Sequence, residues 1–163
     1  MNSERDHNRK YVRLPGFDYA LAGAYFITIC VKARRNLLGE LKNGIVGLSN
    51  AGSIVAEEWQ GLPTRLTSVC TDEFAIMPNH IHGILWLLPE EEGAINRPLP
   101  EVLRAFKACT TIMIRRATPS LNFAWQRNYY EHILRNDEDL VHHRQYILNN
   151  PAQWELDKEN ILP

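Results

Sequence analysis

The sequence predicts a single α+β domain with a mostly antiparallel central sheet and helices packed on it. Short runs rich in β-branched and aromatic residues, such as Ala24–Val31, read as strands. Apolar residues at three- and four-residue steps, such as Val102, Leu103, Phe106, Cys109 and Met113, read as helices. The two kinds interleave along 163 residues, a length that supports one core. With 45% hydrophobic and 23% charged residues the chain is globular, and a net charge of −1 argues against a protein that coats nucleic acid non-specifically.

Residues 1–16 are polar and basic and form an arm ahead of the domain, in which Arg13 is a candidate phosphate contact and a solvated terminus is the alternative. The arm lacks the apolar core of a signal peptide, and no run approaches the length of a membrane span, so a cytoplasmic protein is expected. Cys30, Cys70 and Cys109 are widely spaced in apolar surroundings and read as buried, reduced thiols. Ala24–Val31 is the central strand, and Arg34 and Arg35 follow it as either a solvated turn or a phosphate contact. Asn43-Gly44 has the chemistry of a two-residue hairpin turn.

Ser49 or Asn50 caps a helix that runs through Gly61. Thr67–Ile76 and His80–Leu88 are then two strands joined at Pro78-Asn79, plausible antiparallel neighbours. After a polar loop at 89–98, the helix from Leu99 carries a basic stripe of Arg104, Lys107, Thr111 and Arg115, which is a solvated face unless it lies beside a site. Residues 122–133 are aromatic and extended, with Arg127 among them. Asn136 or Asp137 caps the last helix, Pro151 is expected to stop it, and a tail follows at 152–163. Strand, hairpin, helix, two strands, helix, strand, helix is an order that predicts a ferredoxin-like sandwich.

The chemistry centres on Met77-Pro78-Asn79-His80-Ile81-His82-Gly83. On a strand, side chains alternate, so His80 and His82 share one face and two imidazoles converge there. Neutral imidazole is a common metal ligand, and a further ligand must come from elsewhere. In the last helix Tyr146 and Asn150 stand four apart on one face. An amide oxygen suits a hard divalent cation and a tyrosine hydroxyl can act as a nucleophile. His80, His82 and Asn150 are thus candidate metal ligands with Tyr146 beside them. Each has a structural competitor: partly buried histidines, a tyrosine packing on the sheet, or Tyr129 or Tyr130 as the nucleophile. His142 and His143 read as solvent-facing helix residues.

The histidine motif, the Tyr25-Phe26-Ile27-Thr28 strand, Trp125-Gln126-Arg127-Asn128-Tyr129-Tyr130-Glu131-His132, and Arg144-Gln145-Tyr146-Ile147 ending in Asn150-Pro151 occur in order over nearly the whole chain. Together they resemble the HUH single-tyrosine transposases, and most of all the REP-associated branch. The resemblance implies Mg²⁺ or Mn²⁺ held by His80 and His82, with Tyr146 attacking a DNA phosphate, keeping the 5′ phosphate and releasing a 3′ hydroxyl. It implies single-stranded or hairpin DNA, including repeated extragenic palindromes, as partner, and a monomer or homodimer. Asn150 stands where the insertion-sequence branch commonly has glutamine. No glycine-rich nucleotide loop is present, in keeping with an exchange of one phosphoester for another. The competing reading is a non-catalytic ferredoxin-like module that binds DNA hairpins or RNA through Arg34, Arg35, Arg104 and Lys107 and the aromatic stretch.

Overall fold

Every neighbouring pair of strands in the central sheet is antiparallel. The computed structural model describes residues 22–89 and 97–156, the last two as backbone only. Its strands are β1 (Gly23–Cys30), β2 (Gly39–Lys42), β3 (Ile45–Leu48), β4 (Val69–Met77), β5 (His80–Leu87) and β6 (Tyr130–Leu134). Its helices are α1 (Asn50–Gln60), α2 (Leu62–Arg65), α3 (Leu99–Ala117) and α4 (Asp137–Leu156). The main sheet has the order β4-β5-β1-β6 and is ferredoxin-like, with the β2–β3 hairpin and α4 added. Asn43 and Gly44 turn that hairpin with φ of 52° and 72°, a left-handed pair that asparagine and glycine tolerate.

Period-two alternation sorts the central strands between two cores. Odd positions Tyr25, Ile27, Ile29, Ile81 and Leu85 join α1 and α3 in the larger core. Gly83 lies on this side because Trp59 does: a Cβ there would come within 2.4 Å of the indole. Even positions Phe26 and Ile84 meet Leu140 and Ile147 of α4 on the opposite face. His80 and His82 are even too, so β5 presents them to α4. Ser49 caps α1 by accepting from the Gly52 N–H at 3.1 Å, and Asn136 caps α4 through the Asp139 N–H at 2.8 Å.

Two expectations are corrected. Pro151 does not stop the last helix, which continues to Leu156. The cysteines are not uniformly buried: Cys30 is, Cys109 is half-buried beside Glu58, and Cys70 is exposed on the edge strand β4. The basic arm, with Arg13, lies outside the described residues. Among the described residues no helix is long and apolar enough to cross a membrane.

Candidate functional site

Register on β1 and β5 builds the histidine pair. His82 is paired with Thr28 and His80 with Cys30. The two Nε2 atoms are 2.9 Å apart and the rings cross at 76°. An imidazole lone pair lies in its ring plane, so crossed planes let two Nε2 atoms face one point.

The far nitrogens are held from behind. His80 Nδ1 donates to Asn79 Oδ1 at 2.7 Å, because an amide oxygen only accepts. That leaves His80 Nε2 with its lone pair, directed at His82 Nε2 2.9 Å away. His82 Nδ1 lies 2.8 Å from Thr28 Oγ1, a hydroxyl that can accept its N–H and so release the second Nε2. Asn79 also donates to the Arg34 carbonyl at 3.2 Å. Ala33 and Arg34 there have φ of 57° and 53°, a conformation costly for side chains with a Cβ. Burial first, then His82 and Arg34, push His80 down to about 2. Burial and then Arg34 push His82 down to about 4. Both rings are therefore neutral at physiological pH, the form that ligates metal.

Helix α4 covers the pair. Tyr146 crosses His82 with ring centroids 5.3 Å apart, and Trp154 lies over His80 at 5.0 Å. Asn150 is midway between them at four-residue spacing and is 7% exposed, so its amide is buried on the face that carries both contacts. Tyr146 is 39% exposed, at the mouth of a cavity of about 440 Å³ that Phe26, Thr28, Arg34, His82 and His143 also line. The donor set, two imidazoles with an amide on the facing helix, fits a divalent cation.

Asp72 sets how α4 sits. The bulge in β4 between Thr71 and Phe74 contains it, and its carboxylate accepts from Arg144 Nε at 2.9 Å and Nη2 at 2.5 Å, and from the Trp86 indole at 2.9 Å. Arg144 is two residues from Tyr146.

The predicted basic residues fall into two groups. Arg35 donates to the Leu121 and Asn122 carbonyls, Lys107 to those of Gln126 and Arg127, and Arg115 to that of Phe123. These three satisfy the backbone of a segment with little sheet ladder of its own. Arg34 faces the histidine cavity, whereas Arg104 and Arg127 line a second cavity of about 330 Å³ together with Lys107. Tyr129 lines both cavities.

Asn79, Thr28, Asp72 and His143 had no role in the sequence reading. Asn79 carried a signal, its place beside His80 in the motif, whereas the others become visible only with strand register and helix docking. His143 is not the solvent-facing residue expected: it is half-buried, with its ring 4.8 Å from that of Phe26.

No family model matches the sequence. An uncharacterized Haemophilus influenzae protein is 36% identical, with 93% of each chain covered. A second H. influenzae protein, assigned to the REP-associated tyrosine transposases, is 29% identical over 83% of this chain and 74% of its own. The REP-associated tyrosine transposase of Escherichia coli K12 is 26% identical over 83% of this chain and 70% of its own. Among solved structures, a REP-associated tyrosine transposase bound to a REP hairpin shares the fold, with a TM-score of 0.61 at 23% identity over 87% of this chain and 72% of its own.

Proposed function

Because the chain belongs to the REP-associated tyrosine transposase family, we propose that it cleaves and rejoins single-stranded DNA beside a hairpin, through Tyr146. The observation that supports this reading is the α4 face on which Tyr146 meets His82 and Trp154 meets His80, with Asn150 four residues from each. His80, His82 and Asn150 would hold Mg²⁺ or Mn²⁺. Bound there, the ion would polarise the scissile phosphate and stabilise charge as it develops.

The remaining steps belong to the chain's own residues. Tyr146 Oη attacks phosphorus, a Tyr–O–P bond forms to the 5′ phosphate, and the bond to the 3′ oxygen breaks. A second 3′ hydroxyl reverses these changes and rejoins the strand. Arg34 attracts the phosphate into the cavity, and Arg104 and Arg127 bind the backbone farther along, past Tyr129. In this reading Tyr146 acts at the histidines of its own chain, which the contact of its ring with His82 supports.

The test is a denaturant-resistant adduct between the protein and a labelled hairpin-flanked strand in Mn²⁺. The adduct should form with the wild type and vanish in Tyr146→Phe. Persistence in that variant would place the nucleophile elsewhere, and tight hairpin binding with no adduct in the wild type would mark a binding module.

A further inference from the structure

His143 stands three residues before Tyr146, so both rings project from one side of α4. They rest on the same Phe26 ring, with centroids 4.8 and 5.9 Å from it, and line the same cavity. Nδ1 of His143 lies 2.8 Å from the Asp139 backbone carbonyl and 3.1 Å from the Asp139 carboxylate. Both partners only accept, so Nδ1 carries the hydrogen and the lone pair of the neutral ring is on Nε2. Asp139 is itself held by His132 Nε2 at 3.0 Å and by the Arg135 N–H at 3.3 Å.

His132, Asp139 and His143 bring potential ligand atoms within 4.8 Å of one another. They do not have the geometry of a chelate. The two rings stack, with centroids 4.8 Å apart and planes 20° from parallel. In-plane lone pairs on near-parallel rings have no common point at bonding distance, and each nitrogen facing the carboxylate already carries its hydrogen. His80 and His82, crossed at 76°, make the contrast. The second cluster orients a base instead of holding an ion.

We propose that His143 is the proton carrier for the reaction at Tyr146, with Asp139 as its positioning residue; this rests on Tyr146 being the nucleophile. As Oη bonds to phosphorus, its proton passes to His143 Nε2. As the bond from phosphorus to the 3′ oxygen breaks, the same proton passes from Nε2 to that oxygen and leaves the ring neutral. Rejoining runs the transfers in reverse, and no other reactant is consumed.

The experiment measures single-turnover adduct formation in Mn²⁺ on a hairpin-flanked strand, with the modified peptide mapped. His143→Ala should slow the adduct by about 10²- to 10³-fold, leave hairpin affinity unchanged, and recover in part with added imidazole, which a merely structural loss would not do. His143→Gln, which retains an amide N–H for Asp139 but cannot carry a proton, covers the case in which the alanine variant misfolds and should be equally slow. A substrate with sulfur in place of the bridging 3′ oxygen, whose thiolate departs without a proton, should narrow the defect. Wild-type speed in either variant, with the adduct still on Tyr146, overturns the proposal and spares the nucleophile. A wild-type adduct mapped to another residue overturns both.

Discussion

Breaking the Asp72–Arg144 pair should loosen the helix that carries Tyr146, and the size of the effect follows from the carboxylate's surroundings. The Arg144 hydrogen bonds hold the Asp72 carboxyl down to about 2 from its ordinary 3.8, outweighing the opposing effect of burial with help from Trp86 and the Glu73 N–H. A displacement of that size corresponds to about 2.5 kcal/mol. The Asp72 side chain is 14% exposed but that of Arg144 is 39% exposed, so solvent screening at the guanidinium reduces the expected stabilisation to about 1–2 kcal/mol. The folded carboxyl titrates below the unfolded one. The contribution is therefore complete above pH 3.8 and is lost as pH falls toward about 2. Urea unfolding of the wild type, Asp72→Asn, Arg144→Met and the double variant measures the coupling at neutral pH and through the acid range. Coupling below about 0.3 kcal/mol, the noise of such cycles, or an acid profile of Asp72→Asn that parallels the wild type, would refute the argument.

Three further outcomes are expected. Mn²⁺ should raise the melting temperature of the wild type and not of His82→Ala, and Thr28→Val should weaken the ion's apparent affinity by about 10- to 100-fold through loss of the hydroxyl behind His82, as read by titrating the thermal shift. Gly83→Ala should destabilise the domain by about 1–3 kcal/mol in urea, because the new methyl meets the Trp59 ring at 2.4 Å; an unchanged midpoint would mean that the indole moves aside freely.

What was legible in the sequence was whatever depends on local period. Alternation put His80 and His82 on one face, and four-residue spacing put Tyr146 with Asn150. Neither period says which residue stands behind an imidazole or beside a hydroxyl. Thr28 reaches His82 through the β1–β5 register, Asp72 reaches Arg144 through a bulge, and His143 enters the cavity through the docking angle of α4. The basic stripe shows the same limit from the other side: charge pattern exposed Lys107 and Arg115, but only tertiary structure assigns their donors to backbone carbonyls.

Pro151 is the instructive miss. In a helix interior proline removes one N–H and crowds the carbonyl four residues back, here that of Ile147, at a cost of about 3 kcal/mol. Local propensity alone would end α4 at Asn150. The helix continues because the next turn has something to cover: Trp154 lies over His80, in line with Ile147, which the preceding turn encloses in the core with Phe26 and Ile84. Ending the helix at Asn150 would uncover the His80 side of the pair and leave the Asn150 amide at a fraying end. Tertiary contact with the His80 imidazole thus extends the helix past a residue that should break it, and the same contact covers the His80 ring on the side away from Tyr146.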